Sequence, residues 1–157
     1  MTADQRIRWI AKPVVWLLAV MPLAWLAWRA VNQDLGPNPA EAMNRYLGDW
    51  ALRMLWIALA VTPLRLVTGN TTVVRFRRLL GLFAFFYVAL HLSSYIVVDQ
   101  FFDWRAIWND IVKRTYITLG MGGFLILLAL AATSTKGMIK RLGGKGWNRL
   151  HKGVYAA

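Results

Sequence analysis

A chain of 157 residues with 58% hydrophobic and only 17% charged side chains falls below the roughly one-quarter charged content of soluble domains, and reads as a single integral membrane domain. Cysteine is absent, which excludes disulfides, thiolate catalysis, iron–sulfur clusters and zinc sites of the Cys type. A net charge of +12 would point to nucleic acid in a soluble protein, but here the cations gather in particular loops, so the expected partner is membrane lipid and not nucleic acid.

The first apolar run, residues 13–31, follows Arg6, Arg8 and Lys12 and is long enough to span a bilayer. No small-x-small cleavage site closes it, since Trp28-Arg29-Ala30 stands there, so it reads as a retained helix. Pro22 lies near its middle, which membrane helices tolerate when neighbours satisfy the freed backbone. Residues 32–49 read as a loop with a turn at Gly36-Pro37-Asn38-Pro39, Asn38 capping a short helix that carries Glu41 in its first turn. A second span follows over 50–67, kinked or ended by Pro63.

The third span opens where an arginine cluster, Arg75, Arg77 and Arg78, gives way to an apolar run from Leu79 to Val98. At 1.5 Å per residue that run covers about 30 Å, the thickness of a hydrocarbon core. His91 is the ionisable side chain inside it, about 18 Å from Leu79, and an ionisable group at that depth is a functional-site candidate. Gly81, Ala84, Val88, His91 and Tyr95 share one seam, which suits either close helix packing or a flat cofactor.

Residues 101–112 place Phe101, Trp104, Ile107, Trp108 and Ile111 at helical spacing with polar residues between, the pattern of an interfacial amphipathic helix. A fourth span, 116–132, carries Gly120, Gly122 and Gly123, expected to mark close helix packing. A basic loop over 136–145 then leads to a nascent fifth helix on which Trp147, His151 and Tyr155 recur every four residues. The fold class is therefore all-α: a membrane bundle of four complete spans, the start of a fifth and one interfacial helix. The chain reads as one domain over 1–157 whose C-terminus cuts that fifth helix short.

The N-terminal segment, the loop after the second span and the basic loop with its extension hold thirteen of the nineteen Lys and Arg. By the positive-inside rule the N-terminus and those loops are cytoplasmic, which puts His91 in the outer half and His151 near the cytoplasmic face.

Two histidines are the inventory of nitrogen ligands, and the seven acids lie in loops or at their edges. A proton pump would show an intramembrane carboxylate, and a Ser–His–Asp hydrolase an acid beside its histidine. Catalytic zinc takes about three protein ligands, more than this inventory supplies. Haem asks only for one or two axial ligands and an apolar slot. Histidines at different depths suggest two redox stations, whereas a structural or assembly subunit would use both merely as hydrogen-bonding groups.

The order Asn38-Pro39-Ala40-Glu41, Trp50-Ala51-Leu52-Arg53, Val61-Thr62-Pro63-Leu64-Arg65 and Arg77-Arg78-Leu79-Leu80-Gly81-Leu82 resembles the opening of the MsrQ (YedZ) family. Leu90-His91-Leu92-Ser93-Ser94-Tyr95, Thr133-Ser134-Thr135 and Trp147-Asn148-Arg149-Leu150-His151 continue the likeness over nearly the whole chain. The resemblance implies a ferric-reductase-like fold and a haem b subunit of the bacterial inner membrane, with one or two haems and FMN as a further cofactor. It also implies electron delivery to a periplasmic molybdopterin methionine-sulfoxide reductase, MsrP, from the quinone pool or a cytosolic flavin reductase. Residue by residue, His91 matches the family's third-span haem ligand and His151 the first histidine of its fifth span; a further family histidine deeper in that span has no counterpart. Arg75, Arg77 and Arg78 are candidates for haem propionates or a flavin phosphate, and equally for lipid headgroups.

Overall fold

A computed structural model describes residues 2–156, without the side chains of 3, 4, 155 and 156. Helix α1 covers Ile7–Val31, α2 Pro39–Thr68, α3 Thr71–Asp99 and α5 Thr115–Ala132, and each is long and apolar enough to cross a membrane. Between α3 and α5 lies the short α4, Trp104–Lys113. Helix α6, Lys136–His151, follows α5 and passes into a final 3-10 turn.

The α2–α3 pair is the most extensive interface, and α1 lies against it. Their shared core joins Ala19 and Leu26 of α1, Leu47, Ala51 and Met54 of α2, and Phe83, Ala84 and Tyr87 of α3. Small residues at 19, 51 and 84 let the backbones approach, which matters in lipid because apolar side chains gain nothing by leaving one apolar medium for another. Two tyrosine hydroxyls add direction near the proline of α1. Tyr87 donates to the Ala19 carbonyl at 2.7 Å and Tyr46 to the Pro22 carbonyl at 3.1 Å. Both bonds fall within one turn of Pro22, although neither reaches the Leu18 carbonyl that the proline leaves without an N–H donor.

Three expectations change. The loop expected over 32–49 contracts to a turn, because α2 begins at Pro39 and runs unbroken into the span. Asn38 does cap it, accepting from the Glu41 amide at 3.3 Å, and no breaker separates that first turn from Trp50. Nor does Pro63 end the helix, which continues to Thr68 and stops at Gly69, whose φ of 67° supplies the left-handed C-cap. The basic segment expected as a loop over 136–145 is mostly helical: Thr135 caps it through the Met138 amide, and the break is confined to Gly143 at φ 67°. Lysines and glycines there disguise a helix that a good N-cap starts and a single glycine bends.

Correction of the fourth-span glycines follows from geometry. A Cβ added at Gly120 or Gly122 would meet nothing within 4 Å, so these two do not mark close packing among the described residues. Helix α5 instead touches α3 through Phe124, whose ring stacks on Phe85 at 6.0 Å, and buries Leu127 and Leu130 on the same side.

Helix α4 has the expected amphipathic pattern. Asp103 caps it by accepting from the Arg105 and Ala106 amides, both at 3.0 Å. Ile107 faces the protein while Trp104 and Trp108 stay exposed. Ahead of it, Phe101 and Phe102 take φ of 45° and 63°, a tight corner that turns the chain out of α3.

Candidate functional site

His91 sits on α3 against α2, in a position set by backbone atoms. Its Nδ1 lies 2.9 Å from the carbonyl oxygen of Asn44. One helical turn on, Gly48 leaves room for the ring: a Cβ there would stand 3.1 Å from His91 Cε1 and 3.2 Å from Nδ1. A carbonyl can only accept, so Nδ1 carries a proton, and the neutral ring has its lone pair on Nε2. Ser94 and Tyr95, one turn away on the same helix, bond elsewhere. Ser94 donates to the His91 backbone carbonyl, and Tyr95 to Asp110 of α4 at 2.8 Å. Asn44 and Gly48 escaped the sequence reading because both act through the backbone; their spacing of one turn on α2 was the available signal. Asn44 Oδ1 is buried without a hydrogen-bond partner among the described residues.

His151 is built differently. It closes α6, where its Nδ1 lies 3.0 Å from the Trp147 carbonyl and its ring stacks on the Trp147 indole at 3.8 Å. Trp147 is in turn anchored by its Nε1 donating to the Thr133 carbonyl at 3.1 Å. Again Nδ1–H faces a carbonyl and Nε2 holds the lone pair. Ser134 Oγ lies 3.2 Å from that Nε2 and also 2.8 Å from the Leu130 carbonyl, so one hydroxyl proton serves two acceptors. Burial pulls the imidazole below its ordinary pKa, the hydrogen bonds to the Trp147 and Leu130 backbone oppose it, and the charge of Arg77 adds to the lowering. The neutral ring that results is the form that donates a lone pair. Tyr155, the third residue expected on this face, lies outside the described side chains.

A cavity of about 460 Å³ opens beside His151. Its walls include Ala58 of α2, Gly81 and Leu82 of α3 and Leu127 of α5, with Arg77 and Arg78 at the charged end. The seam read on α3 is thereby divided. Ala84 is fully buried in helix packing, whereas nothing fills the space over Gly81, which borders the cavity.

The arginine cluster also divides. Arg77 lines the His151 cavity, Arg75 lines a groove against α1, and Arg78 borders both. The two histidines are not brought together. Arg77, beside His151, and His91 are fourteen residues apart on one helix, a separation of about 21 Å along its axis. Among the described residues no cluster of three or more His, Cys, Asp or Glu side chains could hold a bare metal ion.

The family model for the ferric reductase like transmembrane component matches residues 47–157. The protein-methionine-sulfoxide reductase heme-binding subunit MsrQ of Rhodospirillum rubrum is 57% identical over 94% of this chain and 71% of its own length. Its counterpart of the same name in Caulobacter vibrioides is 53% identical over 90% of this chain and 68% of its own. The magnetosome protein MamZ of Magnetospirillum gryphiswaldense is 42% identical over 98% of this chain, which corresponds to 24% of that longer protein. No solved structure matches the chain. Identity of this extent, carried by an all-helical architecture with four membrane-capable spans, means that the chain belongs to the MsrQ family of ferric-reductase-like transmembrane proteins.

Proposed function

We propose that this protein is a haem b electron carrier of the bacterial inner membrane, with a cytoplasmic N-terminus, serving a periplasmic methionine-sulfoxide reductase of the MsrP type. One observation carries the reading: both histidines point Nδ1 at a backbone carbonyl, which orients each ring and leaves Nε2 basic. A carbonyl behind a histidine is the arrangement that fixes tautomer and ring orientation in metal ligands. The cavity at His151 fits the group, combining apolar walls for a macrocycle with arginines for its carboxylates. At His91 the support is the ring's placement, which the Asn44 carbonyl orients and the absence of a side chain at Gly48 permits.

Haem, when bound, supplies one-electron chemistry; the residues supply position and electrostatics. His91 and His151 would each hold a separate haem, since His91 does not line the His151 cavity. Arg77 and Arg78 would face propionates on the His151 side. Ser134 would release Nε2 at little cost, because its hydroxyl can turn wholly to Leu130. Electrons would enter from the quinone pool or a cytosolic flavin reductase, and FMN would draw on the same arginine cluster for its phosphate. With the N-terminus inside, His91 lies on the outward side, where a periplasmic acceptor docks.

The test is haem content and absorption of the purified chain, with His91→Ala and His151→Ala. Two independent losses, one per substitution, are expected. A single low-spin species that vanishes with either substitution would mean that both ligate one iron. A folded, colourless protein from haem-replete cells would favour a structural or assembly subunit, the reading in which the hydrogen bonds of both rings are their whole role.

A further inference from the structure

The groove that takes Arg75 adjoins the His151 cavity along α3, sharing Arg78 and Leu82 with it, and neither histidine lines it. It is about 680 Å³ in volume and runs between α1 and α3. Two ladders face each other across it. Arg8, Lys12 and Trp16 succeed one another by single turns on α1, and Arg78 is followed one turn later by Leu82 on α3. On both helices polarity changes in the same sense, from cations at the helix start to apolar side chains deeper in the span. Trp16 is 54% exposed and Leu82 36% exposed, although both lie within membrane-capable helices.

Charge gives the groove its sign. The ion pairs that Arg29, Arg45 and Arg114 form leave Arg8, Lys12 and Arg78 aside. Arg8 has an aromatic neighbour in Trp9, 5.8 Å from the ring centre, which leaves its charge uncompensated. Arg8, Lys12 and Arg78 repel one another unless an anion joins them. A free anion would satisfy the mouth and leave the apolar floor unused. An amphiphile with a negative head and an acyl chain uses both.

We infer that this groove binds an anionic phospholipid, its phosphodiester on Arg8, Lys12 and Arg78 and one acyl chain along Trp16, Leu79 and Leu82. A zwitterionic head would bring a quaternary ammonium against the same cations and is disfavoured. The lipid would bridge α1 to α3 ahead of the buried core that begins at Ala19, next to the Trp16–Phe83 edge contact at 4.8 Å.

The test uses the full chain in neutral detergent. Dioleoylphosphatidylglycerol is titrated against dioleoylphosphatidylcholine, bound lipid is counted by native mass spectrometry, and brominated acyl chains report proximity to Trp16 by the component of tryptophan quenching that Trp16→Phe removes. Phosphatidylglycerol should be retained preferentially, and Arg8→Gln with Lys12→Gln should weaken it about thirtyfold, two surface cations at roughly tenfold or less each. The pair Lys136→Gln and Lys140→Gln, basic but outside the groove, should leave it unchanged. Should the substituted chain misfold, a salt titration of the native chain decides, because only the anionic lipid should dissociate as ionic strength rises. Equal retention of the two lipids, or indifference to Arg8 and Lys12, would overturn the inference. So would displacement by millimolar inorganic phosphate, which would make it a head-only anion site, or by micromolar FMN, which would assign it to a flavin.

Discussion

The two histidine regions solve the same problem of holding an imidazole with opposite materials. His91 is gripped where two long helices touch, its ring pressed against a residue without a side chain and its proton given to a carbonyl of the neighbouring helix. His151 is held by its own helix, through the carbonyl and indole of Trp147 one turn back, and it faces a cavity. Position at the first site therefore depends on helix–helix distance, whereas at the second it depends on local conformation. The first should be rigid and intolerant of volume; the second should accept added atoms.

Substitutions can break that contrast, beginning where the effect is largest. Gly48→Val drives a branched side chain into the His91 ring and should cost about 1–3 kcal/mol as overpacking, read as a fall in thermal midpoint in detergent. An unchanged midpoint would mean that the ring moves freely and the rigid description is wrong. Tyr87→Phe comes next, deleting the buried donor to Ala19 for about 1 kcal/mol; a larger loss would show that α1 depends on this bond for its attachment. At the other site, Gly81→Ala adds a methyl where nothing stands within 4 Å, and should be neutral or stabilising by up to about 1 kcal/mol through helix propensity. A destabilised Gly81→Ala chain, measured in the same melt, would erase the difference between the two regions.

Much of this was legible in the sequence. Run length located the four spans, and the Asn38–Glu41 cap, the amphipathic segment after α3 and both candidate ligands followed from residue type and spacing. What the sequence concealed were contacts made by backbone. Gly48 looks like a loop glycine beside Asp49 until α2 is known to start at Pro39. Asn44 contributes a carbonyl that any residue would carry. The glycines at 120 and 122 misled in the other direction, since small residues signal close packing only when their face meets a helix. Splitting of the arginine cluster was also hidden: Arg75 and Arg77 lie two positions apart, which on a helix sends them to different sides.

The tyrosine hydroxyls near Pro22 set an angle as well as an attachment. Surrounded by lipid on one side and apolar side chains on the other, α1 could spin about its long axis with little change in solvation. Two directed bonds, from Tyr46 and Tyr87 to carbonyls three residues apart, act as a key in a slot and allow one azimuth. One residue's worth of rotation, about 100°, would carry Arg8 and Lys12 away from Arg78 and disperse the basic mouth. The charge pattern at one end of the bundle is thus indexed by two phenols nearer its middle.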